Sequence, residues 1–580
     1  MQNGKDLKYV YARPPAGRGR SLPESPVESP GSRYSRTKSG RLPGPGPGGG
    51  GGGGGGSQSR PLFVRLISLF LSYLFRRHAV LLFFPLIYVT GMLCTGQLPN
   101  EAAASTRLPG SVYRSPEIFE KLWPAMENGS VSESSFGVER AWQFASSTNW
   151  QPCFSRDNEP EALPGSNGYL LVEANGGLNQ QRSSICNAVA VASLLNATLV
   201  IPRFHLNSVW HDNSTFGEIY DENHFIDSLA KDVRIVHQLP DEILSFYGNL
   251  SNIYNFRIKA WSLPDFYVEK VLPKLLETGV VRFTPFANRL SYDRIPPKIQ
   301  QLRCRANFEA LRFAEPITSL AEKVVNRMIA QSYNSDGKYI AVHLRYEMDM
   351  VAFSCCIYDG GAKEKIELDA ARERGWRGKF TRPGRQINPG KNRRDGKCPL
   401  TPLEVGMILR GMGFPKSTPI YLAAGKIYEA EKNMAPLRQM FPFLHTKETL
   451  LSSEELAPLK RFSSRMAALD YSVCLHSEVF VSTQGGNFPQ ILIGHRRFLN
   501  KGHSKTIRPD KRKLALILDN PSITWEEFSE QLQTMRIHND QKGHELRKGN
   551  SSVYTFPAPD CMCPMDLISD EIPDVESLII

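Results

Sequence analysis

The segment from residue 168 to residue 202, GYLLVEANGGLNQQRSSICNAVAVASLLNATLVIP, decides the fold class. It opens with a short apolar run, residues 168–174, which predicts a buried strand. The turn Asn175–Gly177 follows, and apolar residues then recur at helical spacing as far as Leu195. A second strand is predicted at residues 198–201. Strand, turn, helix and strand in this order form a βαβ unit, which predicts a parallel sheet covered by helices.

The same alternation recurs in the second half of the chain. Strands are predicted at residues 338–344, 420–423 and 479–482, with helices at about 428–440 and 462–476. We therefore expect an α/β protein with two halves, residues 165–335 and 336–545. Between the strands, the basic stretch Lys363–Lys397 is interpreted as a surface loop or a partly disordered insert, with a binding segment as the alternative.

The net charge of +12 is carried almost entirely by the N-terminal tail. Residues 1–78 contain 13 of the 70 basic residues and 3 of the 58 acidic residues, so the remainder has a net charge of only +2. Phosphate contacts need concentrated lysine and arginine. The charge distribution therefore argues against a nucleic-acid-binding body.

The N-terminal region has the composition of a tail and a membrane anchor. Residues 1–60, with unbroken glycine from Gly48 to Gly56, predict a disordered cytosolic tail. Residues 61–96 predict an anchor with its span at about 79–95, oriented by the basic residues before it. A cleaved signal peptide is the alternative. We expect a single-pass type II protein with a luminal stem at residues 97–164 and a C-terminal tail at residues 546–580.

Two features fit a luminal body. Nine of the ten cysteines follow the span and no pair has the CxxC spacing of a zinc site, so we expect disulfides with at least one cysteine left over. Asn196, within a helix-to-strand crossover, is the least suitable of the N-glycosylation sequons. The sequons are Asn128, Asn196, Asn213, Asn249 and Asn550.

Three segments that follow predicted strands are candidates for the functional site, because ligands of open α/β sheets bind beyond the carboxyl ends of strands. The first is the turn and helix start Gly176, Gly177, Leu178 and Asn179, where the backbone could approach a ligand; an ordinary βα turn is the alternative. Its spacing is not that of a nicotinamide-binding GxGxxG motif, so no such cofactor is implied.

The second and third segments follow two strands of the second half. The second contains His343, Arg345, Glu347 and Asp349; an ion-paired strand end is the alternative. The third suits hydrogen bonding to phosphate or ribose, with an ordinary turn as the alternative, and Asp470 lies on the preceding helix. Its residues are Thr483, Gln484, Gly485, Gly486, Asn487 and Phe488.

Together with flanking motifs, these segments resemble the plant O-fucosyltransferase-like family, relatives of the protein O-fucosyltransferases. The resemblance covers about residues 140–515. It implies a GT-B-like fold, in which two Rossmann-like domains face a cleft, preceded by a single transmembrane helix. It also implies a Golgi membrane enzyme that acts on glycans or glycoproteins, including pectic ones. The motifs are Trp150–Cys153, Gly176–Asn179, His343–Phe353, Ala468–Tyr471, Thr483–Phe488 and Lys505–Asp510.

The resemblance also implies roles for residues. The donor would be GDP-fucose or, as in some relatives, UDP-rhamnose, bound by residues 336–545 with no further cofactor. Arg345 would bind the diphosphate of the donor, and Asp470 would bind its nucleobase. Residues 483–488 would bind the nucleotide. The chain has no Asp-x-Asp motif, so we expect an inverting transfer that needs no metal.

The catalytic base departs from the family pattern. Gly176 stands where carboxylate-using relatives have a glutamate, so Glu347 or Asp349 would act as base, or the acceptor would pass its proton to the leaving phosphate. The alternative function is a catalytically inactive Golgi scaffold or chaperone for cell-wall polysaccharide synthesis.

Overall fold

The computed structural model describes residues 111–128, 141–145, 149–153, 163–206, 212–284, 286–357, 362–376 and 388–564. The predicted tail at 1–60, the anchor at 61–96 and residues 565–580 lie outside these ranges. None of the helices in the described ranges is long and apolar enough to cross a bilayer. The predicted span at residues 79–95 lies outside them and stays a prediction.

The first half of the body is built on one parallel sheet, here called the N-terminal sheet. Its strand order is β5-β3-β2-β7-β6, and β4 pairs with the end of β2. The strands of this half are, outside the sheet, β1 Trp150–Pro152 and, within it, β2 Tyr169–Ala174, β3 Thr198–Val200, β4 Arg203–Phe204, β5 Ile235–Val236, β6 Asn255–Phe256 and β7 Val280–Phe283. The helices are α1 Ser115–Asn128, α2 Leu178–Leu194, α3 Phe216–Ile219, α4 Glu222–Leu229, α5 Asp241–Tyr247, α6 Pro264–Phe266, α7 Leu272–Thr278, α8 Pro297–Arg305 and α9 Glu315–Gln331.

The second half is built on another parallel sheet, the C-terminal sheet. Its strand order is β10-β9-β8-β11-β12. The strands are β8 Ile340–His343, β9 Ile420–Ala423, β10 Leu444–His445, β11 Val479–Ser482, β12 Thr506–Ile507 and, outside this sheet, β13 Met562–Pro564. The helices are α10 Met348–Ser354, α11 Ala362–Trp376, α12 Pro389–Arg394, α13 Pro402–Gly411, α14 Ala430–Met440, α15 Lys447–Leu450, α16 Ser453–Lys460, α17 Ser463–His476, α18 Asn487–Leu499, α19 Lys511–Leu518 and α20 Trp525–Gln541.

The prediction of an α/β fold with parallel sheets is confirmed. The βαβ unit of residues 168–202 is present as β2, α2 and β3, and β2 is parallel to β3. The three central strands of the C-terminal sheet, β8, β9 and β11, are buried on both faces, which explains why their sequences are continuous apolar runs.

The two sheets share a hydrophobic core. Side chains alternate along a strand, so Ile340 and Val342 face one cluster while Ala341 faces another. This second cluster also contains Leu170 and Val189 of the first half. The described residues between 111 and 564 accordingly form one compact unit.

Part of the predicted stem belongs to the body. Residues 115–128 form α1, and Ile118, Leu122 and Met126 are buried in the core beside the C-terminal sheet. These residues recur at every fourth position, which gives the helix a single apolar stripe. The stem prediction is therefore wrong for this segment.

The interpretation of residues 363–397 as a loop or insert is also wrong where the structure describes them. Residues 362–376 and 389–394 are helical. Arg372 is buried, and its guanidinium donates to the carbonyl oxygens of Ala352 and Ile357, each at 2.7 Å. A basic residue here serves the interior of the fold.

The predicted C-terminal tail is built into the body as far as residue 564. β13 pairs antiparallel with β1. Tyr554 is buried, and its hydroxyl donates to Asn187 of α2 at 2.9 Å. The main chain of Tyr554 also lies so close to Gly494 that a Cβ there would collide with its carbonyl oxygen. The segment therefore joins α2 of the first half to α18 of the second.

The expectation of disulfides with an unpaired remainder is confirmed. The disulfides are Cys153–Cys563, Cys304–Cys561 and Cys356–Cys398. Of the cysteines in the described ranges, Cys186, Cys355 and Cys474 lie outside these disulfides and are buried.

Candidate active site

The carboxyl end of β8 delivers the second predicted segment to the edge of the C-terminal sheet. Arg345 Nε and Glu347 Oε2 form an ion pair at 3.1 Å, with side chains 31% and 23% exposed. The Arg345 backbone N–H donates to Thr483 Oγ1 at 3.3 Å, and that hydroxyl donates to His343 O at 2.9 Å. Thr483 therefore links the ends of β8 and β11 and fixes the position of the Arg345 backbone.

His343 is held as a neutral imidazole. Its ring stacks on Phe488 with centroids 4.7 Å apart. Removal from solvent and, secondarily, the charge of Arg345 lower the pKa of His343 to about 3. Its Nδ1 has no hydrogen-bond partner in the described part of the chain. A neutral ring suits hydrogen bonding to a ligand and excludes a role as a charged proton donor near neutral pH.

Glu347 is a partly buried carboxylate whose pKa is raised. Burial is the main cause, while the charge of Arg345 acts in the opposite direction. The backbone N–H of Gly425 donates to it, and a Cβ at Gly425 would lie 3.0 Å from Glu347 Oε1. Asp349 lies in the first turn of α10, where a negative charge interacts favourably with the helix dipole.

The third predicted segment connects β11 to α18. Gly486 has φ +141, a conformation that other residues rarely adopt, and it is the N-cap of α18 without a capping side chain among the described residues. The first N–H groups of α18 thus lie beside Thr483 and Gln484, where an anion would be stabilised.

The first predicted segment repeats this arrangement at the carboxyl edge of the N-terminal sheet. Gly176 has φ +93, and α2 begins after Gly177 with no side-chain cap from any described residue. A Cβ at Gly176 would lie 2.9 Å from Gln180 Cβ, so the turn requires glycine. Leu178 and Asn179 are buried in the first turn of α2.

Aromatic contacts link the two edges. The Phe488 ring, stacked on His343, lies 5.8 Å from the ring of Tyr471. The guanidinium carbon of Arg182 on α2 lies 5.8 Å from the centre of that Tyr471 ring. Arg182 itself donates to Asn307 Oδ1 at 2.9 Å, so it is used within the fold. The second and third segments are therefore in direct contact, and Tyr471 connects them to Arg182 of α2.

Buried polar atoms without an aligned hydrogen-bond partner, counting only described residues, occur at both edges. Leaving such an atom unpaired costs about 1–3 kcal/mol. A bound polar ligand would remove this cost. The atoms are Asn175 Oδ1, Asn179 Oδ1, Asn255 Oδ1, Arg282 Nε and His343 Nδ1 and, apart from their mutual ion pair, Arg345 Nε and Glu347 Oε2.

Asp470 is buried, and other side chains of the protein engage its carboxylate. Tyr421 donates to Asp470 Oδ1 at 2.7 Å, and Lys447 donates to Asp470 Oδ2 at 2.9 Å. Burial alone would lower the pKa of Lys447, but the Asp470 charge raises it above its usual value. Both carboxylate oxygens are thus engaged by the protein, and contact of Asp470 with a nucleotide stays a prediction.

Lys511 is a residue of this region that the sequence analysis missed. Its ammonium donates to Gln484 Oε1 and, at 2.9 Å, to Cys398 O. Because lysine can only donate, this contact turns the amide N–H groups of Gln484 away from Lys511. Burial lowers the pKa of Lys511 to about 8. The sequence motif that lies nearest to it, Lys505–Asp510, ends at the residue before Lys511 and so did not include this lysine.

The sequons differ in accessibility. Asn213, Asn249 and Asn550 are exposed, whereas the side-chain amide of Asn196 donates to Gly165 O at 2.6 Å. Asn196 is half-buried, and its rank as the poorest acceptor stays a prediction. Asn128 is the last residue of α1.

Comparison with known proteins identifies the family. The model of the GDP-fucose protein O-fucosyltransferase family matches residues 169–499. O-fucosyltransferase 9 of Arabidopsis thaliana is 59% identical over 551 residues, which cover 93% of this chain and 94% of that protein. Protein ESMERALDA 1 of Arabidopsis thaliana is 54% identical over 551 residues, with the same coverage of 93% and 94%.

A crystal structure of POFUT1 in complex with GDP is 16% identical and covers 57% of this chain and 96% of that chain, with a TM-score of 0.35. The resemblance inferred from the motifs is confirmed by the sequence comparisons, with the matched region spanning all three segments of the site. The chain belongs to the O-fucosyltransferase family and is a glycosyltransferase.

Proposed function

We propose that the protein transfers fucose from GDP-fucose to a cell-wall glycan or glycoprotein. The observation that carries the proposal is the placement of Arg345 at the carboxyl edge of the C-terminal sheet, two residues after His343, which stacks on Phe488 in the first turn of α18. A nucleotide-sugar donor leaves as a diphosphate, and this edge offers it a guanidinium and helix N–H groups. UDP-rhamnose is the alternative donor.

The proposed mechanism is an inverting transfer in a GT-B-like cleft. Arg345 stabilises the negative charge that develops on the leaving diphosphate, which a metal would do in other transferases. His343, neutral and stacked on Phe488, donates or accepts a hydrogen bond without changing charge. Glu347 keeps Arg345 in place through their ion pair.

The proton of the acceptor hydroxyl has two destinations in this scheme. It passes to a carboxylate, Glu347 or Asp349, or to the departing phosphate. The raised pKa of Glu347 makes it a stronger base than an ordinary carboxylate. Glu347 is ion-paired with Arg345, however, so its uptake of a proton would break that ion pair.

We also propose that the enzyme is a type II protein of the Golgi membrane with its body in the lumen. Three disulfides support an oxidising compartment. Exposure of three sequons supports glycosylation there.

A thermal-shift panel tests the donor. GDP, GDP-fucose, UDP and UDP-rhamnose are titrated against the full protein, since stabilisation grows with ligand concentration over Kd. We expect GDP and GDP-fucose to raise the melting temperature and radiolabelled fucose to appear on added glycans. Nucleotide binding without turnover would favour the inactive scaffold, and stabilisation by UDP compounds alone would refute the fucose donor.

A further inference from the structure

A polar cluster lies at the carboxyl edge of the N-terminal sheet, apart from the proposed donor site. It consists of Glu173 on β2, Asn255 on β6, Arg282 on β7, and Thr284, and is here called the edge cluster. Arg282 is the register partner of both Leu171 and Asn255, so these three share one face of the sheet. Glu173 and Thr284 follow two residues later on the same face.

The edge cluster covers the end of an apolar layer. On the same face, Leu171, Val200 and Val280 are buried in a small cluster against α5. The polar side chains then begin, and the side chains of Glu173 and Arg282 are 26% and 18% exposed. The sheet therefore changes from apolar to polar where it reaches the edge that holds Gly176 and Gly177.

The contacts within the edge cluster leave hydrogen-bonding capacity unused. Thr284 Oγ1 donates to Glu173 Oε2 at 3.0 Å, but Arg282 Nη1 is 3.6 Å from Glu173 Oε1, too far for a hydrogen bond. Arg282 Nε and Asn255 Oδ1 are buried without hydrogen-bond partners among the residues described. An ion pair that only stabilised the fold would be expected to close these gaps.

The chemistry of the cluster selects its ligand. A carboxylate, an amide and a guanidinium side by side offer alternating acceptors and donors, which suits sugar hydroxyls because each hydroxyl both donates and accepts. The Glu173 carboxylate would repel a diphosphate. The donor's charged group is accommodated instead at Arg345, on the other sheet.

We propose that the edge cluster binds hydroxyl groups of the acceptor glycan, with Glu173 as the central acceptor of hydrogen bonds. The inference rests on the proposed function, since it concerns the second substrate of the same transfer. Glu173 is three residues before Gly176, so an acceptor held here lies at the start of the Gly176–Asn179 turn.

The test compares Glu173→Gln and Asn255→Ala with Glu277→Gln. Glu277 is also paired, with Lys274 at 2.7 Å, but it lies in the last turn of α7, three residues before β7 begins, at the opposite edge of the sheet. The acceptor probe is a pool of short oligosaccharides released from plant cell walls by mild acid. Readouts are GDP-fucose affinity by calorimetry, the KM for the pool in fucose transfer, binding of the pool by saturation-transfer NMR, and melting temperature.

We expect Glu173→Gln to raise the KM for the pool by about tenfold or more, the usual loss when a hydrogen bond to a charged group is removed. Asn255→Ala removes a neutral hydrogen bond and should raise it by about two- to tenfold. Their NMR signals from the pool should weaken while GDP-fucose affinity stays at the wild-type value, and Glu277→Gln should match the wild type throughout.

Wild-type KM and pool binding in Glu173→Gln would overturn the inference, as would a wild-type protein that does not bind the pool. Equal loss of GDP-fucose affinity in both variants would also overturn it, by assigning the cluster to the donor or to the fold. If the wild type binds the pool but not GDP-fucose, the proposed donor fails, and the NMR comparison of Glu173→Gln with the wild type still decides the acceptor site.

Discussion

Replacing Arg345 with alanine should abolish transfer while leaving the fold nearly intact. The structure shows Arg345 paired with Glu347 at 3.1 Å, and about a third of its side chain is exposed. Ion pairs with this much solvent contact contribute about 0–1 kcal/mol. A fully buried pair would instead cost about 3–5 kcal/mol when one partner is removed.

The effect on activity should be far larger. Removing one preorganised donor from the leaving diphosphate typically costs about 2.7–4 kcal/mol in the transition state, or about 10²–10³ in rate. Arg345→Lys should recover only part of this, because lysine keeps the charge and lacks the two-pronged geometry. The two variants together separate the charge of the side chain from its shape.

The pH dependence of stability gives a further check. Burial raises the pKa of Glu347 above its unfolded value, so ionising this carboxylate in the folded protein costs stability as the pH rises. Without Arg345 this cost grows. The stability difference between wild type and Arg345→Ala should therefore be largest near neutral pH and shrink as acid protonates Glu347.

The assay is kcat/KM for fucose transfer together with GDP affinity and denaturant unfolding on the same preparations. A variant that binds GDP like the wild type and has lost several kcal/mol of stability would refute the assignment of Arg345 to the diphosphate. It would show that the side chain is structural.

Three other predictions concern the same region. Thr483→Val removes the hydrogen bonds to His343 O and from the Arg345 N–H, and should lower the free energy of unfolding by about 1–3 kcal/mol. Denaturant titration checks this against Thr483→Ser, which keeps both bonds. Equal free energies of unfolding for the two variants would contradict the prediction. Asp470→Asn leaves the buried ammonium of Lys447 with only the more distant and more exposed carboxylate of Glu448, 3.7 Å away, and should cost about 3–5 kcal/mol. Unchanged unfolding with lost GDP binding would instead make Asp470 a nucleotide ligand. Transfer should survive excess EDTA, and activity that disappears and returns with manganese would show that a metal is needed.

The elements that sequence predicted best are those that depend on neighbours in the chain. β2, α2 and β3 were predicted within a few residues because a buried strand, a glycine turn and a helical spacing are local signals. The segment after β8 was predicted for the same reason. Its side chains lie at a strand end, where the chain itself places them.

The elements that sequence missed depend on distant partners. α11 contains few apolar residues, and its buried face uses Leu368 together with Arg372, whose donors are satisfied by carbonyl groups of another segment. A pattern search for apolar spacing does not recognise such a helix. Asp470 was assigned to a ligand because nothing near it in sequence reveals Lys447 or Tyr421 as its partners.

The disulfides of the C-terminal segment affect how the chain is made. Cys561 and Cys563 leave the ribosome after almost all of the protein, yet their partners Cys304 and Cys153 precede them by 257 and 410 residues. Until then, those two partners remain reactive thiols on a nascent chain, and the site that Tyr554 fills between α2 and α18 stays open. A product of premature termination before residue 561 would thus present two alkylatable cysteines, a chemical mark by which folding surveillance, or an experimenter with a thiol reagent, can tell it from the finished enzyme.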